Sequence, residues 1–405
     1  PGSEGVVAKA ASMTFPVKYK GENRSDKMCI TGGSYVLTEE GFKRVCNLKI
    51  GDLVFAKDGK LHRILGIVRR HLRKDEKLFD VRSRSPAGMK VRLTGDHRVL
   101  TRDGWIEAEN VNNRFGVPIK IEIPEEQYPL KLELDWHGYK KVIECTDDFW
   151  RLIGFWVAEG SLGNNRNKNY KRGEFVFAQK NTKRFKYYAD LADKILKVTG
   201  KRYQYNGINI YVVWDKPFCD WLSKHFLDRN DDKTVPWFIG SLPESSFNAF
   251  WEGYRDGDRS HESSDDIVTS DPSLAGRIYA IVVYREGKAS VVWRKTKGKN
   301  SFTIRRLKRP LQSFKLEAKE VFTDKQDWVY DIEVEGEESF VSGNIVLHNC
   351  KLKNLKEIDV MVWDVIEKKS TKTGEPLGNY MYIAVYEIPE ERKDEFQPTN
   401  VVEYK

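Results

Sequence analysis

The run Ile345-Val346-Leu347-His348-Asn349-Cys350 is a short apolar strand pattern that ends on three residues with reactive side chains. Far upstream, a second cysteine opens the run Cys29-Ile30-Thr31-Gly32-Gly33-Ser34. Cysteine is the strongest side-chain nucleophile near neutral pH, and an amide bond breaks at a useful rate only where a nucleophile and a proton donor are held beside its carbonyl. The two runs therefore frame residues 29–349 as one unit with chemistry at both ends.

Two further runs lie between these ends, Leu93-Thr94-Gly95-Asp96-His97 and Val329-Tyr330-Asp331-Ile332. Taken alone, a histidine after Thr-Gly-Asp is more often an ordinary turn residue than a catalytic one. In this order, however, the four runs resemble the splicing blocks of inteins, which excise themselves from a longer chain. The resemblance implies protein splicing that needs no cofactor.

The resemblance assigns the first half of the reaction to residues at the N-terminal junction. Cys29 would attack the carbonyl of Met28 and form a thioester. His97, with Thr94 as hydrogen-bonding partner, would hold and then protonate the departing nitrogen. Asp331 stands at the position of an acid that couples this step to the next.

The second half of the reaction falls to the C-terminal junction. Cys350 would take over the acyl group in a branched intermediate. Asn349 would then cyclise through its side-chain amide, with His348 polarising the bond that breaks. An S-to-N shift would leave an ordinary peptide bond between Met28 and Cys350, so the flanking segments, the exteins, are the substrate.

One position departs from the family pattern. Inteins often have a histidine shortly before the last strand, where this chain has Gly336-Glu337-Glu338-Ser339. Assistance to Asn349 is therefore expected from His348 or from another group, with Glu338 as one candidate. No Cys-x-x-C pair is present, and three cysteines are interpreted as inert packing: Cys46, Cys145 and Cys219.

The type of secondary structure that the sequence predicts changes twice along residues 29–349. Short β-type runs such as 34–37 and 53–56 fill the first part, and β-type runs return at 328–334 and 339–347. Between them, helical patterns occupy 149–159, 182–196 and 245–256, beside a strand pattern at 208–214. With the resemblance, this predicts a mixed fold. An all-β horseshoe splicing domain of the Hint type would comprise 29–123 and 321–349, an α/β domain would be inserted at 124–320, and exteins would occupy 1–28 and 350–405.

Two apolar helical runs in the inserted region contain a glycine and end on an acid: Leu152-Ile153-Gly154-Phe155-Trp156-Val157-Ala158-Glu159 and Trp251-Glu252-Gly253-Tyr254-Arg255-Asp256-Gly257-Asp258. They resemble the paired LAGLIDADG motifs of homing endonucleases, whose helices each place one acid at a DNA-cleavage centre. The resemblance implies that Glu159 and Asp258 bind Mg²⁺ and cleave the uninterrupted host gene. Lys233 would be a further catalytic residue, although a solvated loop lysine is the alternative. Arg259 replaces a small residue of the family.

The net charge of +9 favours a polyanionic partner. Basic runs at 166–172, 180–186 and 285–309 predict contacts with the phosphates of double-stranded DNA. Three alternatives stay open. The basic runs are a solvated face; the inserted domain binds DNA but no longer cuts it; or the unit cleaves itself without ligating, against which the terminal His348-Asn349-Cys350 argues.

The flanks carry a resemblance of their own. Glu4-Gly5-Val6-Val7-Ala8-Lys9 and Cys350-Lys351-Leu352-Lys353 resemble two nucleotidyltransferase motifs of ATP-dependent DNA ligases, which implies a ligase-like host interrupted at its active site. No Lys-x-Asp-Gly nucleotidylation motif is present in this chain. There is no apolar window of about 20 residues and no signal-peptide pattern, so a cytoplasmic monomer without a membrane partner is expected.

Overall fold

The computed structural model describes residues 28–163, 173–258, 265–287, 289–296, 298–309, 311–322 and 328–349, with two strands at 360–364 and 382–386. Contacts divide the chain into one unit of Lys27–Cys350 and a second of Pro1–Asp26 with Lys351–Lys405. Of the second unit, an antiparallel hairpin of Val360–Asp364 and Tyr382–Tyr386 is described. The ligase-like motifs lie outside the described residues. No helix in the described ranges is long and apolar enough to cross a membrane.

The larger unit begins with strands joined by tight turns. In the strand Leu61–His71 burial alternates along part of the length, so that Ile64 is buried between exposed Arg63 and Leu65. At the turn between the paired strands Tyr35–Thr38 and Gly41–Arg44, Gly41 has a φ of +104°, in the region that glycine adopts without strain. The strands are β1 (Ile30–Thr31), β2 (Tyr35–Thr38), β3 (Gly41–Arg44), β4 (Leu53–Phe55), β5 (Leu61–His71), β6 (Leu78–Ser85), β7 (Val91–Thr94), β8 (Arg98–Thr101), β9 (Gly104–Glu107) and β10 (Phe115–Gly116).

The chain then builds a helical region, defined here as residues 131–306. A hairpin of β11 (Lys131–Trp136) and β12 (Tyr139–Glu144) comes first. Helices α1 to α3 accompany a four-stranded sheet, and α4 and α5 accompany a three-stranded one. The elements are α1 (Asp147–Glu159), β13 (Gly160–Gly163), β14 (Glu174–Gln179), α2 (Thr182–Leu196), β15 (Lys201–Tyr205), β16 (Ile208–Trp214), α3 (Lys216–Phe226), α4 (Glu244–Gly257), β17 (Ile267–Thr269), α5 (Pro272–Glu286), β18 (Ala289–Thr296) and β19 (Lys299–Arg306).

Side-chain caps determine where four of these helices begin. The Thr146 hydroxyl accepts from the Phe149 N–H at the start of α1, and Asn181 accepts from the Arg184 N–H at the start of α2. Asp215 and Asp271 do the same for α3 and α5. Each cap satisfies a backbone donor that the helix itself leaves unpaired, which fixes the first turn.

The chain returns to the first sheet through β20 (Phe314–Val321), β21 (Trp328–Val334), β22 (Ser339–Ser342) and β23 (Ile345–His348). The resulting large sheet has the order β22-β23-β8-β10-β20-β6-β7-β1-β21-β5-β4-β2-β3, with β9 paired to β8. The run 339–347, expected as one strand, is a hairpin that turns at Gly343, where φ is +62°. β20 belongs to the large sheet through its pairing with β6, although the predicted boundary assigned most of it to the inserted region.

Helices α1 and α4 cross with their backbones in contact. A Cβ added to Gly154 would lie 2.0 Å from the carbonyl oxygen of Phe250, and one added to Gly253 would lie 1.9 Å from that of Arg151. Contacts this short exclude any side chain, so the crossing requires glycine on both helices. The C-terminal ends of the two helices are thereby brought together.

The large sheet and the helical region share a hydrophobic core. Tyr35 and Phe42 of the β2–β3 hairpin pack against Phe302 of β19, with ring centroids 5.4 and 6.2 Å apart. A Cβ at Gly276 of α5 would lie 2.1 Å from the backbone nitrogen of Phe42. Arg277, also on α5, donates to the carbonyl of Glu39 at 2.7 Å. The inserted region is therefore packed onto the sheet as one structural unit rather than tethered to it.

The cysteines interpreted as packing differ in exposure. Cys219 is buried, and burial raises the pKa of its thiol. Cys145 is half-buried, and burial raises the pKa of its thiol to about 12. The interpretation was wrong for Cys46, which follows β3 in a short helical turn and is exposed.

Candidate functional site

The large sheet brings Cys29 next to Thr94. The Cys29 N–H donates to the Thr94 hydroxyl oxygen at 3.0 Å, and the Thr94 N–H donates to the Cys29 carbonyl at 2.9 Å. These contacts continue the ladder between β1 and β7, where Ile30 pairs with Leu93. The nitrogen of the bond proposed to break therefore faces a hydroxyl group from another strand.

His97 lies in the same buried place. Its ring is fully buried, flanked by backbone groups of Cys29 and His348 and by the ring of Phe340, whose centroid is 6.3 Å away. Burial, aided by the charge of His348, lowers the pKa of His97 to about 3, against a smaller opposing effect of the two backbones. The imidazole is therefore neutral near pH 7 and touches both junctions of the proposed unit.

Asp331 is the cross-strand neighbour of Cys29, because Ile30 pairs with Tyr330 in the β1–β21 ladder. Its carboxylate is buried and accepts from the Ile332 N–H at 2.9 Å. Burial raises the pKa of the Cys29 thiol to about 12, Arg70 lowers it, and the charge of Asp331 raises it further. Arg70 did not emerge from the sequence, since only the strand register brings it to this site.

The C-terminal junction lies on the β22–β23 hairpin. Ser339 pairs with His348, and the Asn349 N–H donates to the Glu338 carbonyl at 3.1 Å. His348 Nε2 lies 3.6 Å from Glu338 Oε2, and the ring stands edge-on to Trp105 at 4.9 Å. Burial lowers the pKa of His348, while Glu338 opposes that shift. Cys350 lies outside the described residues.

A second cluster of titratable groups lies where α1 and α4 end. Burial and the charge of Asp258 raise the pKa of Glu159 to about 7, and burial raises the pKa of Asp258 to about 6. Gln179 on β14 donates through Nε2 to Glu159 Oε1 at 3.2 Å. The helix crossing thus brings the two predicted acids together, and Gln179 joins them although no sequence motif indicated it.

Lys233 is part of this cluster and is not a solvated loop lysine. Its Nζ donates to the carbonyls of Val157 at 2.8 Å, Trp156 at 3.3 Å and Ala158 at 3.4 Å. These carbonyls belong to the last turn of α1, whose partial negative charge favours a cation. Burial lowers the pKa of Lys233 to about 8, and the two acids oppose that shift.

The donor set fits a magnesium ion shared with a substrate. Within the described ranges, no three His, Cys, Asp or Glu side chains converge. Mg²⁺ in nucleotide-processing sites commonly takes one or two carboxylates and completes its shell with water and phosphate oxygens. Two half-buried carboxylates that repel each other, Glu159 and Asp258, provide that minimal set.

Part of the predicted basic surface is internal. Arg285 donates to the Gly240 carbonyl at 3.0 Å and lies over the Phe247 ring at 4.5 Å, while Arg306 pairs with Glu286 at 2.5 Å. These two arginines therefore stabilise the helical region. Exposed cations remain on and after β18 and β19: Arg294, Lys295, Lys299, Lys308 and Arg309. Of the other basic runs, 180–186 is described at the start of α2, whereas 166–172 and Arg259 lie outside the described residues.

No family model and no curated protein matches the chain. Among solved structures, it is similar to the gp41-1 intein at 16% identity, over 22% of this chain and 68% of that one, with a TM-score of 0.20. A DnaB intein from Synechocystis sp. is similar at 16% identity, over 23% and 70%, with a TM-score of 0.20. The homing endonuclease I-DmoI is similar at 15% identity, over 40% and 89%, with a TM-score of 0.31.

The similar structures thus include both kinds of protein that the motifs resemble. Scores this low carry no argument about the reaction or its residues. The function rests on the geometry of the two clusters.

Proposed function

We propose that residues 29–349 excise themselves by protein splicing and that Met28 becomes joined to Cys350. The observation that carries the proposal is the position of His97 between the two ends of the unit, beside the backbones of Cys29 and His348. A single buried imidazole beside both ends of a long insertion is placed to act in the chemistry at each of them. The flanks remain proposed as parts of a ligase-like host.

In the first step, the Cys29 sulfur bonds to the carbonyl carbon of Met28 and the bond to the Cys29 nitrogen breaks. That nitrogen takes a proton as it leaves. The Thr94 hydroxyl, 3.0 Å from this nitrogen, accepts its hydrogen bond and holds it in place, and the neutral imidazole of His97 lies beside the Cys29 backbone. The Asp331 carboxylate beside Cys29 favours the protonated thiol that forms when the acyl group passes on to Cys350, and so disfavours the return of the acyl group to Cys29.

In the later steps, the Cys350 sulfur takes the acyl group from Cys29, and the Asn349 side-chain nitrogen then attacks its own carbonyl carbon. The bond to the Cys350 nitrogen breaks, and that nitrogen takes a proton. The Glu338 carbonyl fixes the Asn349 backbone, and His348, with the Glu338 carboxylate 3.6 Å from its ring, supplies the proton. The final S-to-N shift needs no further group.

Two single substitutions test the assignment of the junctions. Asn349→Ala should block release of the C-terminal flank while a thiol reagent still cleaves before Cys29. Cys29→Ala should prevent the thioester and leave Asn349 cyclisation in place. Mass spectrometry of the products should show, for the unchanged chain, free 29–349 and a joined product of 1–28 with 350–405. Joining that survives either substitution contradicts the proposal.

We also propose that the helical region cleaves double-stranded DNA at the uninterrupted host gene. The repelling pair Glu159 and Asp258, held together by the glycine crossing, supports this function. A bound divalent cation would supply Lewis-acid activation of the scissile phosphate. Gln179 orients Glu159, and Lys233 reduces the repulsion between the acids. Arg294 and Lys295 are exposed for phosphate contacts.

Cleavage and binding assays with magnesium separate this function from DNA binding alone. Glu159→Gln should reduce cleavage by about a hundredfold or more and change DNA affinity by less than about threefold, since the acids repel phosphate. Glu252→Gln is the matched control, because Glu252 lies on α4 and pairs with Arg151 outside the cluster. An unchanged chain that binds but never cuts would favour the alternative of a degenerate inserted domain.

A further inference from the structure

The charges around Cys29 are unbalanced. Within the described ranges, the groups that act on its thiol are the carboxylates of Asp331, Glu76 and Asp96 and a single guanidinium, that of Arg70. A buried thiol among three carboxylates is strongly held in its protonated form. Because the thiolate is the attacking species, one of the neighbouring groups has to offset these charges.

The strand register puts Arg70 on the same face of the sheet as Cys29. Strand β21 lies between β1 and β5, with Val329 paired to Thr31 on one side and to Arg70 on the other. Directly opposed residues in antiparallel strands point to the same face, and so do residues two apart on one strand. Cys29, two residues before Thr31, therefore shares a face with Arg70, and it packs in one buried cluster with Val329.

The Arg70 guanidinium is held in position. Nη1 and Nη2 donate to the two carboxylate oxygens of Glu76 at 2.7 and 2.5 Å, and Nη1 also donates to the His71 carbonyl at 3.1 Å. Glu76 in turn accepts from the Arg73 N–H at 2.7 Å. The Arg70 side chain is only 16% exposed. A fixed guanidinium that keeps its charge at all relevant pH values gives a constant field at the thiol.

We infer that Arg70 stabilises the Cys29 thiolate and so sets the rate of the first splicing step; the inference rests on the splicing function proposed above. In that step the Cys29 thiol gives up its proton, the thiolate sulfur bonds to the Met28 carbonyl carbon, and the bond from that carbon to the Cys29 nitrogen breaks. The nitrogen takes up one proton, so that the step neither gains nor loses a proton overall. His97 is too weak a base in its buried position to hold the thiol proton. Arg70 acts on charge alone and donates no proton.

The expected size of the effect follows from two opposing trends. A cation at close range lowers a thiol pKa by about one to three units and increases the thiolate fraction accordingly. The intrinsic nucleophilicity of a thiolate falls by about half as much on a logarithmic scale. Loss of the cation should therefore slow attack by about tenfold, and by the same factor at pH 7 and pH 9, because the thiol pKa of about 12 lies above both.

The test uses the full chain with Asn349→Ala, in which cleavage before Cys29 by dithiothreitol reports the thioester. Arg70→Met should slow this cleavage by about tenfold at pH 7 and at pH 9 alike. Arg70→Lys should stay within about threefold of the parent, since it keeps the charge. Arg69→Met is the matched control, because Arg69 is the next residue on β5, points to the other face and lies over the Trp328 ring at 3.7 Å.

If Arg70→Met cleaves as fast as Arg69→Met, or if Arg70→Lys is slowed as much as Arg70→Met, Arg70 has no role in thiolate stabilisation. If the Asn349→Ala parent itself shows no thiol-dependent cleavage, the splicing proposal fails, and the inference with it. Misfolding is checked separately in Arg70→Met with Asn349 restored, where cleavage after Asn349 should continue at the rate seen in Cys29→Ala.

Discussion

The two clusters differ in how deeply they bury their titratable groups. In the large sheet, Cys29 and His97 are fully buried, and burial favours the neutral form of both side chains. In the helical region, Glu159 and Asp258 are only partly buried, and burial raises their pKa values no further than to about 7 and about 6. The proposed substrate of the sheet site is part of the same chain and needs no route in from solvent. The proposed substrate of the helical site, DNA with a cation, has to arrive from outside and is recognised by charge.

The largest expected effect is on the free energy of unfolding, and it tests whether the large sheet and the helical region unfold together or separately. Gly253→Ala, in a chain kept intact by Cys29→Ala and Asn349→Ala, should lower the free energy of unfolding by about 3 kcal/mol, because its methyl group meets the Arg151 carbonyl. Since the regions share a core, we expect one calorimetric transition that shifts as a whole. Asn248→Ala, also on α4, is the control and should change stability by less than about 0.5 kcal/mol.

Two transitions, of which Gly253→Ala shifts one, would contradict the shared core. The large sheet and the helical region would then be two domains that unfold independently.

An intermediate effect concerns the cost of keeping two acids together. The folded pKa of Glu159, about 7, is above the ordinary value of 4.5, so the folded state binds more protons between these values and stability falls as the pH rises through 7. Allowing for partial exposure, Glu159→Gln should raise the free energy of unfolding at pH 8 by about 1–2 kcal/mol, and by little at pH 4. Urea denaturation at the two pH values measures this.

Glu252→Gln is again the control and should not stabilise the chain at pH 8, because Glu252 pairs with Arg151. A similar gain at both pH values for Glu159→Gln would mean that the acid pair is not the cause.

The smallest expected effect is a pH shift at the C-terminal junction. In Cys29→Ala, cleavage after Asn349 should decline as His348 loses its proton. The charges that face His348 are Glu338, which raises its pKa, and Arg98 and Lys57, which lower it. Glu338→Gln should therefore move the alkaline limb of the rate profile to lower pH and slow cleavage at pH 7 by about threefold.

Glu338→Asp should restore most of the original profile. Glu337→Gln is the neighbouring control, since Glu337 faces Lys57 at 3.8 Å instead of the imidazole. A limb that does not move in Glu338→Gln would remove Glu338 from the reaction.

Helices and strands were predicted correctly where the spacing of apolar residues fits only one type of secondary structure. The helix Thr182–Leu196 and the strand Ile208–Trp214 occur with the predicted bounds, because their apolar residues recur at helical and strand spacing. Helix α5 was not predicted. Four successive or nearly successive residues are all buried, so no polar face reveals the helical repeat: Ile278, Tyr279, Ile281 and Val282.

The residues of the candidate sites also differ in whether the local sequence indicates them. The cysteine, histidine and asparagine residues at both junctions can be recognised as reactive from the sequence alone, and the roles proposed for them remain predictions. Arg70 and Gln179 reach their places only through cross-strand register, which the local sequence does not encode. The predicted solvated alternative for Lys233 was wrong, because the end of α1 that surrounds its side chain comes from a distant part of the chain.

The contact between Gly41 and helix α5 has a consequence for the history of the gene. A Cβ at Gly41 would lie 1.8 Å from the Ser273 carbonyl oxygen, so this turn is shaped to the inserted region. A deletion that removed the helical region would expose Tyr35 and Phe42 to water at once. A shortened descendant would therefore have to acquire polar replacements on that hairpin before it could persist, and the inserted region is protected from loss by the surface it covers.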